Sequence, residues 1–234
     1  MKNTFGSFVY SYLNKVLIFP IKLFLISVVF FLLTFSILAD SPIDIFPPGL
    51  FDRVEEDYDE DARERVEAWQ QLVLNEQDTS EKGKLHIVNR FFNRVRFVDD
   101  IRVWGQKDYW ATPVEFLGRN AGDCEDFTIA KYFTLRALGI PSEKLRLMYV
   151  RALRIKQSHM VLAYFETPDS MPMVLDNINE KILPANYRRD LQPIYSFNGD
   201  GLWAAKAQGR GRKIKDKGSH STWETLMTRI ERGQ

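Results

Sequence analysis

The sequence predicts an α+β fold in which helices come first and pack on an antiparallel sheet. Three observations predict it. Apolar residues recur at steps of three and four up to residue 139. Three β-like runs follow, at residues 145–151, 159–165 and 173–176, with a weaker fourth at 194–197. The second and third of these runs are joined by Thr167-Pro168-Asp169-Ser170, which is turn chemistry suited to antiparallel neighbours. With 234 residues, 45% hydrophobic and 27% charged, the chain has the composition of a globular protein with one main core. A formal net charge of only +1 excludes a global field for nucleic acid or an acidic surface, so any charge-based function is local.

The elements follow in order. Lys2, Lys15 and Lys22 precede an uncharged apolar run at residues 23–39, and the downstream flank is acidic at Asp40, Asp44, Asp52, Glu55, Glu56 and Asp57. The segment 1–39 therefore reads as an export signal or N-terminal membrane anchor, with the lysine side kept in the cytoplasm and the remainder translocated to the periplasm. Cleavage after Ala39 puts Ile37 where a small residue is favoured, so both forms stay open, as does a buried core helix. Residues 40–49, with three prolines and a glycine in SPIDIFPPG, form a linker, and 50–234 form the domain.

Residues 53–76, with Val66, Trp69, Leu72 and Val73 at helical spacing, predict one amphipathic surface helix; Leu85, Val88, Phe92 and Val95 predict a second. Thr112-Pro113-Val114-Glu115 carries an N-cap hydroxyl, proline at the first helical position and the glutamate of a capping box, so a short helix starts there. Gly118-Arg119-Asn120-Ala121-Gly122 stops it. A further helix opens at about Cys124, patterned by Phe127, Ala130, Thr134, Ala137 and Leu138 and closed by Gly139 and Pro141. Near the C-terminus the basic stretch 209–215 reads as a solvated loop in preference to an anionic-partner patch. A last helical pattern carries Trp223, Leu226, Met227 and Ile230.

The chain holds one cysteine, which cannot form an internal disulfide. Cys124 is either a small buried hydrophobe or a reactive thiol. Its place at the passage from a glycine-containing turn into a helix favours the second, because a helix N-terminus stabilises thiolate over thiol. A thiolate hydrolase needs a base, and the candidates are His86, His159 and His220. His86 falls inside a helical pattern and His220 in the polar Gly218-Ser219-His220-Ser221 stretch, whereas His159 opens an apolar strand. The midpoint between His159 and Asp176 falls inside the Thr167–Ser170 turn. A symmetric hairpin would set the two directly opposite each other, with β-carbons roughly 5 Å apart, unless a bulge or slip intervenes. Cys124, His159 and Asp176 are thus the candidate catalytic residues.

Asp108-Tyr109-Trp110-Ala111-Thr112-Pro113-Val114-Glu115, Gly122-Asp123-Cys124-Glu125-Asp126-Phe127 and Ser158-His159-Met160-Val161-Leu162 resemble the bacterial transglutaminase-like cysteine proteinases over roughly residues 104–176. The resemblance implies a papain/transglutaminase-like fold with the catalytic Cys at a helix N-terminus, and the triad Cys124, His159 and Asp176. It also implies periplasmic location, Ca2+ dependence, and cleavage of the N-terminal region of a large surface adhesin at a paired-alanine site, releasing it and promoting biofilm dispersal. A further implied partner is an inner-membrane cyclic di-GMP receptor of the LapD type. Physically, Asp123, Glu125 and Asp126 surround the nucleophile with carboxylates that raise its pKa unless a cation compensates them. They are candidate calcium ligands, although the same acids also cap and stabilise a helix start. Two other readings stay open: a transglutaminase or acyltransferase using the same three residues, and a non-enzymatic, membrane-tethered binding module with Cys124 in its core.

Overall fold

Asp59 breaks what the periodicity of 53–76 reads as one helix. Its extended backbone and its carboxylate, accepting from the Ala62 N–H at 2.6 Å, start a new helix. The chain therefore opens with α1 (Leu50–Asp57) and α2 (Glu60–Asn75), followed by α3 (Glu81–Phe92), N-capped by Ser80. The structure, a computed structural model, describes residues 45–204, 211–216 and 221–232. The apolar run at 23–39 and His220 lie outside the described residues; among the described residues, no helix is long and apolar enough to cross a membrane.

After α3 come β1 (Arg96–Phe97), the short α4 (Asp100–Val103), α5 (Pro113–Arg119) and β2 (Ala121–Gly122). The capping box read at Thr112 and Glu115 is complete, with each side chain bonding the other's backbone N–H. Asn120 ends α5 in the left-handed region, at φ 48. β1 and β2 pair in parallel, Arg96 with Ala121 and Phe97 with Gly122, and the Val98 N–H adds a bond to the Gly122 carbonyl. This two-residue pair escapes pattern reading, yet it sets Asp100 and Asp123, which follow the two strands closely, side by side.

α6 (Cys124–Ala137) is the central helix, buried around almost its whole circumference. A helix apolar on one stripe belongs at a surface, whereas this one is enclosed by the sheet, α3 and α5. Phe127, Ile129, Phe133 and Leu135 are each buried, and each contributes about 1.5–3 kcal/mol by leaving water. The Trp69 indole N–H donates to the Thr134 hydroxyl at 2.8 Å, tying α2 to α6 within this core.

The sheet holds β3 (Leu145–Ala152), β4 (Gln157–Tyr164), β5 (Met173–Leu175), β6 (Leu183–Pro184), β7 (Leu191–Asn198), β8 (Gly201–Ala204) and β9 (Lys213–Asp216) in the order β6-β5-β4-β3-β7-β8-β9. Every described pairing in it is antiparallel. β9 takes up part of the stretch 209–215 that reads as a loop: its basic residues sit on an edge strand, where charge blocks further pairing. α7 (Ser221–Glu231) closes the fold and buries Trp223 against Tyr132, Phe133 and Phe197. The α+β class, with helices first and an antiparallel sheet after them, is the observed architecture.

The β4–β5 register differs from the symmetric hairpin. Leu162 pairs with Leu175 and Tyr164 with Met173, so Asp176, one residue past β5, falls two positions away from His159. A shift of two keeps both side chains on one face, where a shift of one would separate them. The pair meets on the diagonal.

Candidate active site

Cys124 occupies the first position of α6, behind a second capping box. The Asp123 side chain accepts from the Glu125 N–H at 3.3 Å, and the Asp126 side chain reaches back to the Asp123 N–H at 3.2 Å. Gly122 is required just before it, since a Cβ there would collide with Asp126 Oδ2 and the Phe116 ring. Thr128, one turn into α6, bonds both the Cys124 carbonyl at 2.8 Å and the Met160 carbonyl at 3.1 Å, which fastens the helix start to β4. Cys124 is thereby held close to Met160, the residue that follows His159.

His159 and Asp176 are both buried and joined by a 2.8 Å bond between Nε2 and Oδ1. Since a carboxylate only accepts, Nε2 carries the proton, and Nδ1 is left as the basic nitrogen. Asp176 Oδ1 also accepts from the Ile178 N–H at 2.9 Å, Oδ2 takes Arg188 Nη2 at 2.6 Å, and Asn93 donates to the Asp176 carbonyl. Burial alone would raise the Asp176 carboxyl, but His159, the Ile178 N–H and the Arg188 guanidinium outweigh it and hold it well below the ordinary carboxylate range. His86 is exposed on α3, away from these partners.

The acids around Cys124 behave in the opposite way. Asp100, Asp123 and Asp126 converge, with one carboxylate oxygen of each within 4.8 Å of the others; Asp123 and Glu125 make a second such group with the Cys124 sulfur. Burial, then Glu125, pushes Asp123 up to about 10. Burial pushes Asp126 up as well, against the pull of the Ala111 and Asp123 N–H groups, and raises Asp100 to about 6. Cys124 itself is pushed well up, first by burial and then by Glu125 and Asp123, and its thiol donates to Glu125 Oε2 at 2.7 Å.

A divalent cation fits this group. Asp126 spends both oxygens on backbone N–H groups and Asp100 Oδ2 accepts from the Tyr109 N–H, but Asp100 Oδ1 is buried without a partner. Several hard oxygens and an unmet negative charge are what calcium takes. The structure thus brings Asp123 and Asp126 together, places Glu125 on the thiol side, and adds Asp100, which the sequence reading missed. No local pattern marks Asp100; only the β1–β2 pairing does. Arg188 was missed as well: no local pattern separates it from its neighbour Arg189, which is exposed.

A thiol at a helix N-terminus with a buried His–Asp pair on the adjoining strand defines a papain-like thiol hydrolase. Residues 47–190 match the model of the bacterial transglutaminase-like cysteine proteinases, and the chain belongs to that family; it is a cysteine peptidase. It is similar to Legionella pneumophila LapG, at 42% identity and TM-score 0.68, covering 77% of this chain and 95% of that one. A calcium-bound structure of the same LapG gives 42% and 0.67, and an EGTA-treated one 41% and 0.68, each over 77% of this chain and 97% of that one. A comparison with curated protein sequences finds no match.

Proposed function

We propose that this peptidase is a calcium-dependent periplasmic enzyme of the LapG type that cleaves the N-terminal region of a large surface adhesin at a paired-alanine site. Release of the adhesin promotes biofilm dispersal, and an inner-membrane cyclic di-GMP receptor controls the enzyme. The observation that carries the catalytic reading is the Thr128 hydroxyl, bonded to the carbonyls of Cys124 and Met160, which fastens the start of α6 to β4 next to a His159 ring already bound to Asp176. Similarity to LapG over nearly all of that protein supports the substrate and receptor, and the apolar run at 23–39 with its acidic downstream flank supports export.

In this reading the Cys124 sulfur forms a bond to the scissile carbonyl carbon as His159 Nδ1 takes the thiol proton, and the C–N bond breaks as that proton passes to the leaving amine. Water then attacks the thioester, gives its proton to His159, and frees the acid product and the thiol. Asp176 fixes the ring's tautomer throughout. The Cys124 N–H, at a helix start where such donors lack intrahelical partners, faces the developing oxyanion. Asp100, Asp123, Asp126 and the nearby Glu125 would hold calcium, whose charge would compensate the acids that oppose thiolate formation.

Cys124→Ala tests the assignment on a recombinant adhesin fragment carrying the paired-alanine site. Cleavage is expected to vanish while the circular dichroism spectrum is unchanged; retained cleavage by the purified variant would overturn the nucleophile. With an amine added to the wild type, two shorter fragments mean hydrolysis, and a gain in fragment mass means acyl transfer instead.

A further inference from the structure

Asp176 is gripped from behind. Arg188, in the turn between β6 and β7, sets Nη2 on Asp176 Oδ2 at 2.6 Å, while its other edge is held by Asp190, Nε to Oδ1 at 3.0 Å and Nη2 to Oδ2 at 2.8 Å. The Arg188 and His159 side chains are each 2% exposed and that of Asp176 is 0% exposed, whereas Asp190 reaches solvent at 24%. A chain of contacts therefore runs from the surface through Asp190, Arg188 and Asp176 to the His159 ring.

Stability explains this arrangement poorly. Taking an ion pair out of water costs several kcal/mol per ion, and well-packed apolar residues serve as well or better. A guanidinium gives what such residues cannot: its planar Nε–Nη2 fork is gripped by both oxygens of Asp190, which fixes the direction of the single Nη2–H that Asp176 Oδ2 receives. Asp176 needs that constraint, since it lies one residue past the end of β5 and reaches His159 only along the diagonal of the register.

We propose that Arg188, anchored by Asp190, is a positioning residue of the peptidase: it sets the orientation of the Asp176 carboxylate and, through it, the tautomer and protonation of His159. This rests on the reading of Cys124, His159 and Asp176 as the triad. The charges facing Asp176 are His159 from β4, Lys131 from α6, and Arg188 itself; Asp190 faces Arg188, and Glu180 faces Lys131. Lys131 is fully buried among these groups, and burial pulls its ammonium down to about 7 against the attraction of Asp176 and Glu180.

The test uses the full chain with calcium, in a Cys124→Ala background for spectroscopy so that the thiol does not titrate. The His159 ring nitrogens are followed by 15N NMR across pH, and kcat and KM are measured with Cys124 intact on the adhesin fragment. Arg188→Gln removes the cation on the far side of Asp176, so the His159 midpoint is expected to move up. The Nε2–H signal should broaden, and kcat should fall about 10-fold or more with KM within about 2-fold. Arg188→Lys keeps the charge without the fork; its midpoint should stay in place while kcat falls by less. A folded Arg188→Gln with a wild-type spectrum and kcat would overturn the proposal. Should that variant not fold, Asp190→Asn decides, since it frees the anchor and leaves Arg188 in place: a wild-type spectrum and kcat there overturn the positioning role. Proteolysis by Cys124→Ala would bring down the triad and leave the imidazole result standing, so the two failures are separable.

Discussion

Two groups of buried carboxylates flank Cys124, and what surrounds them drives them in opposite directions. Asp176 meets the His159 ring, the Arg188 guanidinium and the Ile178 N–H, and is held ionised far below the ordinary range despite burial. Asp100, Asp123 and Asp126 meet mainly one another and neutral backbone donors at Tyr109, Ala111, Asp123 and Glu125, and burial pushes all three up. Burial costs a charge in both places, and only the first supplies cations to offset it. In the proposed mechanism the basic half, His159 with Asp176, is in place once the chain folds. On the Cys124 side, burial and the acids at Glu125 and Asp123 disfavour the thiolate, a penalty that a bound cation would offset.

The comparison breaks most forcibly at Asp176. Asp176→Asn keeps the shape but leaves Arg188 with Asp190 as its remaining charge partner and His159 without a carboxylate. Turnover is expected to fall by about 1,000- to 10,000-fold, as when the carboxylate of such a triad is lost. The free energy of unfolding should fall by about 1–3 kcal/mol, the cost of weakening buried hydrogen bonds while Asp190 still pairs Arg188. Kinetics and urea denaturation on one preparation measure both; a variant as stable and active as the wild type would remove the Asp176 group from the mechanism.

The acidic group is probed by calcium and pH together. Because folding raises the pKa of Asp100 to about 6, the folded state binds more protons than the unfolded chain between about pH 4 and 6, so this group's contribution to stability falls as pH rises through that window. Asp123, raised to about 10, extends the loss toward alkaline pH. Asp176 has the opposite sign: its contribution is present above about pH 4 and is lost as pH falls through its depressed folded value. Scanning calorimetry in chelator should therefore show stability declining from pH 5 to 8. Calcium at about 100 times its Kd should add about 2.7 kcal/mol and flatten the decline. Identical melting curves with calcium and with chelator would sink the cation site.

How much of this was legible in the sequence depends on how far each feature reaches along the chain. The capping box at Thr112 and Glu115, the start of α6 at Cys124 and the strands from 145, 159 and 173 rest on neighbours within a few residues, and pattern reading finds them. His159 and Asp176 share a face through a parity that survives a two-residue change of register, so the pair was found for a nearly right reason. Asp100 and Arg188 were not found, because each depends on contacts that no local periodicity encodes: a two-residue parallel pair for one, a turn after a two-residue strand for the other. The α1–α2 break was missed since Asp59 caps a helix within a run whose apolar spacing continues across it.

The smallest effect sharpens where the acidic group ends. The segment leading into α5 gives its N–H groups to acids in turn: Tyr109 to Asp100, Ala111 to Asp126, and Thr112 to Glu115. Arg229 from α7 holds the same segment through the Tyr109 hydroxyl, Glu115 and the Trp110 carbonyl. Thr112→Ala removes the N-cap hydroxyl that the Glu115 N–H uses at 3.1 Å, which should cost about 1 kcal/mol. The Thr112 and Ala111 N–H groups keep their acids, so the carboxylates at Asp100 and Asp126 stay where they are. Calcium affinity by titration calorimetry should therefore match the wild type even as the melting temperature drops. A weakened affinity would mean that the cap, and not the carboxylates alone, sets the geometry of the acidic group, extending that group from the start of α6 into the start of α5.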